Sequence, residues 1–333
     1  MSASPILQTF ALGDQWPTID PFLFCVHHLD HYPASDGQMG PAASLEGRQI
    51  GSDFSSRDGW SMYHGTHVPG FPSHPHRGFE TLTYVRRGLV DHSDSLGAAA
   101  RYGRGDAQWL TAGRGIVHSE MFPLLDLPEG NTLELFQIWV NLAASDKMAD
   151  PHFSMFWADD IPKVETVDDQ GRAATVTVVA GSVGDATAPA PPPSSWASRD
   201  DSDVAVWHVV LDPGASVDLA PANHFDTRRV AYLFEGGHVM FDGHRLDRYS
   251  GAVIDCSRAC RVEAGEDAVE LLVLQGRPIG EPVASYGPFV MNNRAEIQQA
   301  FDDYQATGFG GWPWPSSDPV HGADPTRFAR QVD

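Results

Sequence analysis

Cysteine is scarce: three in 333 residues, Cys25, Cys256 and Cys260. An odd, sparse count argues against a disulfide framework and fits a reducing compartment. Cys256 and Cys260 stand in a C-x3-C spacing with no second Cys or His pair at zinc-finger distance, so ordinary thiols are expected. Basic residues are also few, 22 Lys and Arg against 44 Asp and Glu, for a formal charge of −22. A surface of that sign repels phosphate backbones and anionic lipid, which argues against nucleic acid as a direct partner. No stretch approaches the roughly 20 apolar residues that span a bilayer, so no membrane is expected. Met1–Trp16 has no basic segment leading into an apolar run, so no signal peptide is expected and the chain reads as cytoplasmic.

Gly (32) and Pro (25) are frequent, and hydrophobic residues make up 42%. That mixture suits many short strands joined by turns, and the length suits two domains. Thr81–Val85 and Leu89–Asp94 read as a hairpin around Gly88. Ala107–Leu110 and Ile116–Glu120 are short strands separated by a turn holding Gly113 and Gly115, and Leu133–Val140 reads as a buried strand. Lys147–Pro151 reads as a linker. A second set of strands follows: Ala174–Val179, Val204–Leu211, Val230–Phe234, His238–Phe241, Ala252–Asp255 and Val269–Leu274. Between the first two, Gly181–Asp203 is rich in Ala, Pro and Ser and is expected to be an exposed extended loop. One helix is signalled, by a capping box at Asn293 and Glu296 with Ile297, Ala300, Phe301 and Tyr304 on one face. Trp312 and Trp314 mark a segment expected to pack onto a domain.

Tyr84-Val85-Arg86-Arg87-Gly88 is similar to Tyr232-Leu233-Phe234-Glu235-Gly236, an offset of 148. This repeat predicts two copies of one β-domain. The offset sets His76 against His224 but His74 against Ala222, and nothing near Val262 answers to His118 or Glu120. Most of any shared metal site is therefore expected to be missing from the second copy.

His74 and His76 are two apart, as are His118 and Glu120. Residues two apart on a strand point to one face, so both pairs can face one barrel interior. Nitrogen and oxygen donors without thiolate suit iron, manganese, nickel, copper or zinc. Such a site would leave positions open for substrate or dioxygen.

The longest run of signal is His74-Pro75-His76-Arg77-Gly78-Phe79-Glu80-Thr81, then Asp91-His92-Ser93-Asp94-Ser95-Leu96-Gly97, then Gly105 to Glu120 through Gly113-Arg114-Gly115-Ile116-Val117-His118-Ser119-Glu120. It resembles the signature of the pirin family. Leu135-Phe136-Gln137-Ile138-Trp139-Val140-Asn141-Leu142 and Gly287-Pro288-Phe289-Val290-Met291-Asn292 are similar to the ends of that family's two domains. The resemblance implies an all-β bicupin: two tandem cupin (double-stranded β-helix, jelly-roll) barrels with a short C-terminal helix. The barrels would span 1–146, holding the metal, and 147–315, without metal, with 316–333 as a tail. It implies non-haem Fe(2+) on His74, His76, His118 and Glu120, with Mn, Ni, Cu or Zn left open. It implies a quercetin 2,3-dioxygenase-like oxidoreductase acting on flavonols or related aromatic diols with dioxygen, Glu120 being the catalytic base. The alternative is a metal-binding regulatory or redox-sensing protein that acts through a protein partner.

Two segments depart from the family pattern. Ala34–Met62 is longer than expected before the His-Pro-His strand, and the Pro-rich loop is extended. Glu80 is expected beside the metal ligands, and Arg77 and Arg114 are expected to pin strand ends through carboxylates. His27, His28 and His31 are expected to be structural, His64 and His67 to lie on loops, and His92 to be a satisfied interior or surface residue. Phe79, Trp109 and Phe122 are candidates for the wall of a substrate pocket, with core packing the expected role of any one of them.

Overall fold

Alternation sets which strands face water on one side and which are covered on both. In the computed structural model, which describes residues 4–331, Cys260, Val262 and Ala264 are buried while Arg261 and Glu263 between them are exposed. Phe79–Arg87 is buried on both faces from Phe79 to Val85. Apart from Glu80, it reads as an apolar and Thr run because it is a central strand.

The chain divides into two units. The first comprises His27–Ile138, Leu142–Ala158 and Glu281–Asp333; the second comprises Met1–Val26, Trp139–Asn141 and Asp159–Gly280. The expected boundaries cut the chain differently. Strand pairing is the reason: Ile6–Ala11 pairs with Ser250–Ile254, and the tail strand Phe328–Arg330 pairs with Ala99–Gly103. Lys147, expected in a linker, is 1% exposed and donates from Nζ to the carbonyls of Gly78 (2.7 Å) and Val290 (3.2 Å). Burial lowers its pKa to about 8.

One five-stranded sheet, most of it in the first unit, runs His152–Phe156, Ala107–Thr111, Phe79–Arg87, Asn131–Asn141, Phe22–Tyr32. A second runs Phe328–Arg330, Ala99–Gly103, Leu89–Asp94, Ile116–Met121, Gly70–His76. Val85, Leu110 and Leu135 from the one meet Val90, Ala100 and Ile116 from the other in a shared core. In the second unit, a seven-stranded sheet contains the run Ile6–Ala11, Ser250–Ile254, Arg228–Glu235, Val269–Gly276, Ala205–Leu211. Its companion is the four-stranded sheet Ser216–Leu219, Cys260–Ala264, His238–Phe241, His244–Asp247. The strand order of the two units corresponds throughout these runs, so the 148-residue offset marks a duplicated topology. Both units are cupin barrels.

The helix Arg294–Thr307 forms where its capping box predicts. Asn293 accepts from the Glu296 N–H (3.0 Å), and Glu296 Oε2 accepts from the Asn292 N–H (2.9 Å). Gly308, at φ 55, ends it. Ile297 and Ala300 pack with Val117, Phe289 and Phe309, behind the strand that carries His118. Trp314 donates to the Asp94 carbonyl at 2.8 Å, so the tryptophan segment does pack onto a domain. Gly181–Asp203 differs from an open loop: it holds a small hairpin and a 3-10 turn, and it buries Ser195 and Ser202.

Candidate metal centre

Three strands present the site. Ile116–Met121 lies in the middle, with Gly70–His76 on one side and Leu89–Asp94 on the other. The register sets His74 opposite His118, Phe71 opposite Glu120, and His92 opposite Glu120 from the far side. Opposed residues on antiparallel strands share a face, so one face of this sheet collects the histidines. A bulge between Phe71 and His74 adjusts the ligand strand. Glycines let it sit close to its neighbours: at Gly70 (φ 131) a Cβ would meet the Glu120 carbonyl at 2.5 Å, and at Gly78 (φ 83) the Val290 carbonyl at 2.0 Å.

His74, His76 and His118 come together, with ligand nitrogens all within 4.8 Å of one another. Their ring centroids are 4.4 to 4.9 Å apart. His74 Nδ1 donates to the Pro72 carbonyl (2.8 Å), and His76 Nδ1 lies 3.4 Å from the Pro288 carbonyl. Holding Nδ1 against a carbonyl sets the tautomer that presents the Nε2 lone pair, the usual arrangement of ligating imidazoles. His118 is completely buried and both its nitrogens lack a hydrogen-bond partner. A buried nitrogen without a partner costs about 1–3 kcal/mol, and a cation would remove that cost. Burial lowers the pKa of all three, His74 to about 4, so they are neutral and able to ligate near pH 7. The donor set therefore fits a divalent transition metal.

Glu120 lies outside the three-histidine group. Its carboxylate accepts from Thr83 Oγ1 (3.0 Å), Tyr102 OH (3.3 Å) and Gln137 Nε2 (2.9 Å). It is 4% exposed, and burial raises its pKa while these hydrogen bonds oppose the rise. Thr83, Tyr102 and Gln137 were missed in the sequence. The available signal was alternation, since Thr81 and Thr83 share one face of their strand with Val85. His92 is an interior residue near the site but not fully satisfied: it is fully buried, its ring 5.6 Å from that of His118, with Nε2 on Asp94 (3.3 Å) and Nδ1 unpartnered.

The remaining expectations divide. Arg77 donates to Asp303 at 2.7 Å, and Arg114 pairs with Asp150 at 2.9 Å, as anticipated. His27 meets Glu134, His28 meets Tyr63 and His31 meets Thr132 in structural contacts. Glu80 is fully buried and accepts from Thr111 Oγ1 (2.7 Å). Phe79 and Trp109 are fully buried core residues, the expected role, and do not line a pocket. The wall beside His74 is instead Phe71, 6.4 Å away, backed by Tyr63 (5.0 Å, stacked), Phe122 (6.0 Å) and the half-exposed Phe54 (6.4 Å). Phe54 belongs to Ala34–Met62, so the long segment contributes directly to the surroundings of the site. The three cysteines are free and buried, and burial raises their thiol pKa values.

A cupin barrel with a three-histidine cluster, followed by a second cupin barrel, defines the class: a bicupin with one candidate metal site. The pirin family model matches residues 9–140, and the model of the pirin C-terminal cupin domain matches 206–310. A Pseudomonas aeruginosa protein provisionally named a quercetin 2,3-dioxygenase is 40% identical over 238 residues, covering 71% of this chain and 78% of that protein. A Caulobacter vibrioides pirin-like protein is 39% identical over 245 residues, covering 73% and 82%. The crystal structure of a quercetin 2,3-dioxygenase from Acinetobacter baumannii aligns with a TM-score of 0.70 at 27% identity, over 92% of this chain and 98% of that one. The chain belongs to the pirin family. Among the described residues, no helix is long and apolar enough to cross a membrane.

Proposed function

We propose that this pirin is a metal-dependent dioxygenase, with iron as the resident metal and quercetin-like flavonols or related aromatic diols as substrates. The observation that carries the reading is the buried, unpartnered His118 facing His74 and His76, with the caged carboxylate of Glu120 on the same strand. The names of the Pseudomonas and Acinetobacter relatives point the same way. His74, His76 and His118 would hold the metal, which when bound supplies Lewis acidity and redox chemistry toward dioxygen.

The chain's own residues perform the remaining tasks. Glu120 accepts the proton of the flavonol hydroxyl; burial raises its basicity, and Thr83, Tyr102 and Gln137 hold the carboxylate in place. Rotation out of that cage would let it serve as a fourth ligand. Phe71, with Tyr63 and Phe54 behind it, offers a face on which a planar ring can stack. Neutral imidazoles avoid competition between protons and metal near pH 7.

The near closure of the site supports a second reading, since His118 is fully buried and His76 and Glu120 are each 4% exposed. A redox-sensing protein read by a partner can keep its metal covered. Oxygen uptake with quercetin, on iron-loaded protein and on iron-loaded His118→Ala, separates the two. The dioxygenase reading expects uptake that the substitution abolishes; equal rates remove it.

A further inference from the structure

The second barrel keeps a cavity of about 480 Å3, lined among others by Val176, Ala205, Leu219, Trp207, Arg229 and Gln275. Its position is informative. The strand Ser216–Leu219 takes the topological place of the ligand strand Gly70–His76, and the cavity is bordered by the residues that follow it, Ala220, Pro221 and Asn223. There the offset of 148 sets Ala222 and His224 against His74 and His76. Apolar residues stand on the adjacent ladder, Val217 opposite Val262 and Leu219 opposite Cys260.

The cavity wall carries a buried cation. Arg229 is 1% exposed. Its Nε donates to Gln275 Oε1 (2.8 Å) and its Nη2 to the Ala220 carbonyl (2.8 Å), both neutral acceptors. Its Nη1 has no hydrogen-bond partner, and neither has the indole Nε1 of Trp207, which is 5% exposed. The guanidinium carbon lies 5.3 Å from the Trp207 ring. Two donor groups, one of them charged, are thus unsatisfied on residues that line one cavity. A buried donor without a partner is costly, and more so when it is charged.

The acids nearby do not supply the missing acceptor. Asp203 receives the Asn223 N–H, Asn223 Nδ2 and Thr227 Oγ1 at 2.8 to 2.9 Å, and Gln275 Nε2 at 3.2 Å. It is linked to Arg229 through the Gln275 amide. Asp200 and Asp218, also on the lining, are exposed, and water screens their charge. They still disfavour a dianion at the entrance.

We infer that the second barrel binds a small organic monocarboxylate, its oxygens on Arg229 Nη1 and Trp207 Nε1 and its apolar body against Val176, Ala205 and Leu219. A carboxylate matches the planar donor edge of a guanidinium, and its second oxygen can accept from an indole N–H. The apolar lining gives an organic acid an advantage over phosphate or sulfate.

Isothermal titration of the full chain with benzoate, phenylacetate and hexanoate tests this, with benzamide and inorganic phosphate as controls. At least one acid should bind with a Kd below about 1 mM, and benzamide should not bind. Arg229→Gln keeps an amide in place of the charge and should weaken the acid at least ~10-fold, the loss of a charge-assisted hydrogen bond. Trp207→Phe keeps a ring and removes only the N–H, and should weaken it ~3- to 10-fold. Failure of every acid to bind up to about 10 mM overturns the proposal, as does unchanged binding in either variant. Phosphate binding as tightly as the best acid also overturns it. Should Arg229→Gln not fold, Trp207→Phe and the benzamide control decide the matter.

Discussion

Replacing His118 with Leu should change stability in opposite directions with and without metal. The side chain is fully buried and both its nitrogens lack partners. In the metal-free protein, each unsatisfied buried group costs about 1–3 kcal/mol. Leu removes that cost at similar volume, and imperfect shape returns up to about 1 kcal/mol. The variant should therefore be about 1 kcal/mol more stable than wild type in chelator. With metal at about 1,000 times its Kd, wild type gains ~4 kcal/mol, because the ion binds only the folded chain. His118→Leu keeps two of the three grouped histidines and should gain far less. The order of stability should reverse. Urea denaturation of both proteins, in EDTA and in excess Fe(2+) under anaerobic conditions, reads this directly. If the variant loses more than about 1 kcal/mol in EDTA, the unpartnered nitrogens do not carry the cost assigned to them. If metal stabilises both proteins equally, His118 is not a ligand.

Three further outcomes follow from polar side chains with defined partners. Tyr63 OH accepts from His28 Nδ1 (2.9 Å) and donates to Asp30 Oδ2 (2.8 Å); burial lowers the His28 pKa to about 4 and raises that of Asp30 to about 6. His28 therefore loses stability as pH falls from 6.5 toward 4, whereas Asp30 loses it as pH rises from 3.8 through 6, so the two oppose each other between pH 4 and 6. Asp30→Asn should steepen the acid loss of stability in urea midpoints measured from pH 6.5 down to 4; an unchanged slope refutes the pairing of signs. Arg101 and Asp91 are both fully buried and bonded twice, at 2.7 and 2.6 Å, so Arg101→Met should cost about 3–5 kcal/mol by thermal or urea unfolding. Asn293→Ala should cost about 1 kcal/mol through the lost cap, and a cost below a few tenths would show that packing alone holds the helix.

Strand positions were legible wherever period and turn signals agreed. Leu89–Asp94 and His238–Phe241 form as read, and Asn293 caps the helix through the spacing that suggested it. The candidate metal-binding histidines were legible because His74-x-His76 and His118 lie on two strands, where a period of two settles the face. What the sequence could not show is pairing between segments far apart in it. Tyr102 and Gln137 reach Glu120 only because their strands are brought to it by the barrel. The tail strand Phe328–Arg330 finds Ala99–Gly103 across more than half the chain, and no local pattern announces that contact. The place of Phe79 and Trp109 was open between wall and core because a large aromatic next to a ligand motif looks the same in sequence whether it lines a cavity or fills a core.

The two barrels also show why the cupin fold alone does not specify a chemistry. The corresponding three-stranded ladder carries His74, His118 and Glu120 in one barrel and Val217, Leu219 and Val262 in the other. Register and strand order are set by the backbone and by the shared apolar core, so the inward positions are free to differ. In the first barrel they leave an imidazole whose two nitrogens lack a hydrogen-bond partner. In the second they leave a guanidinium N–H and an indole N–H without an acceptor. Each unsatisfied group lowers the stability of its barrel until its partner arrives, so occupancy of either site should register as resistance to unfolding as well as in activity. That gives both assignments a readout independent of turnover.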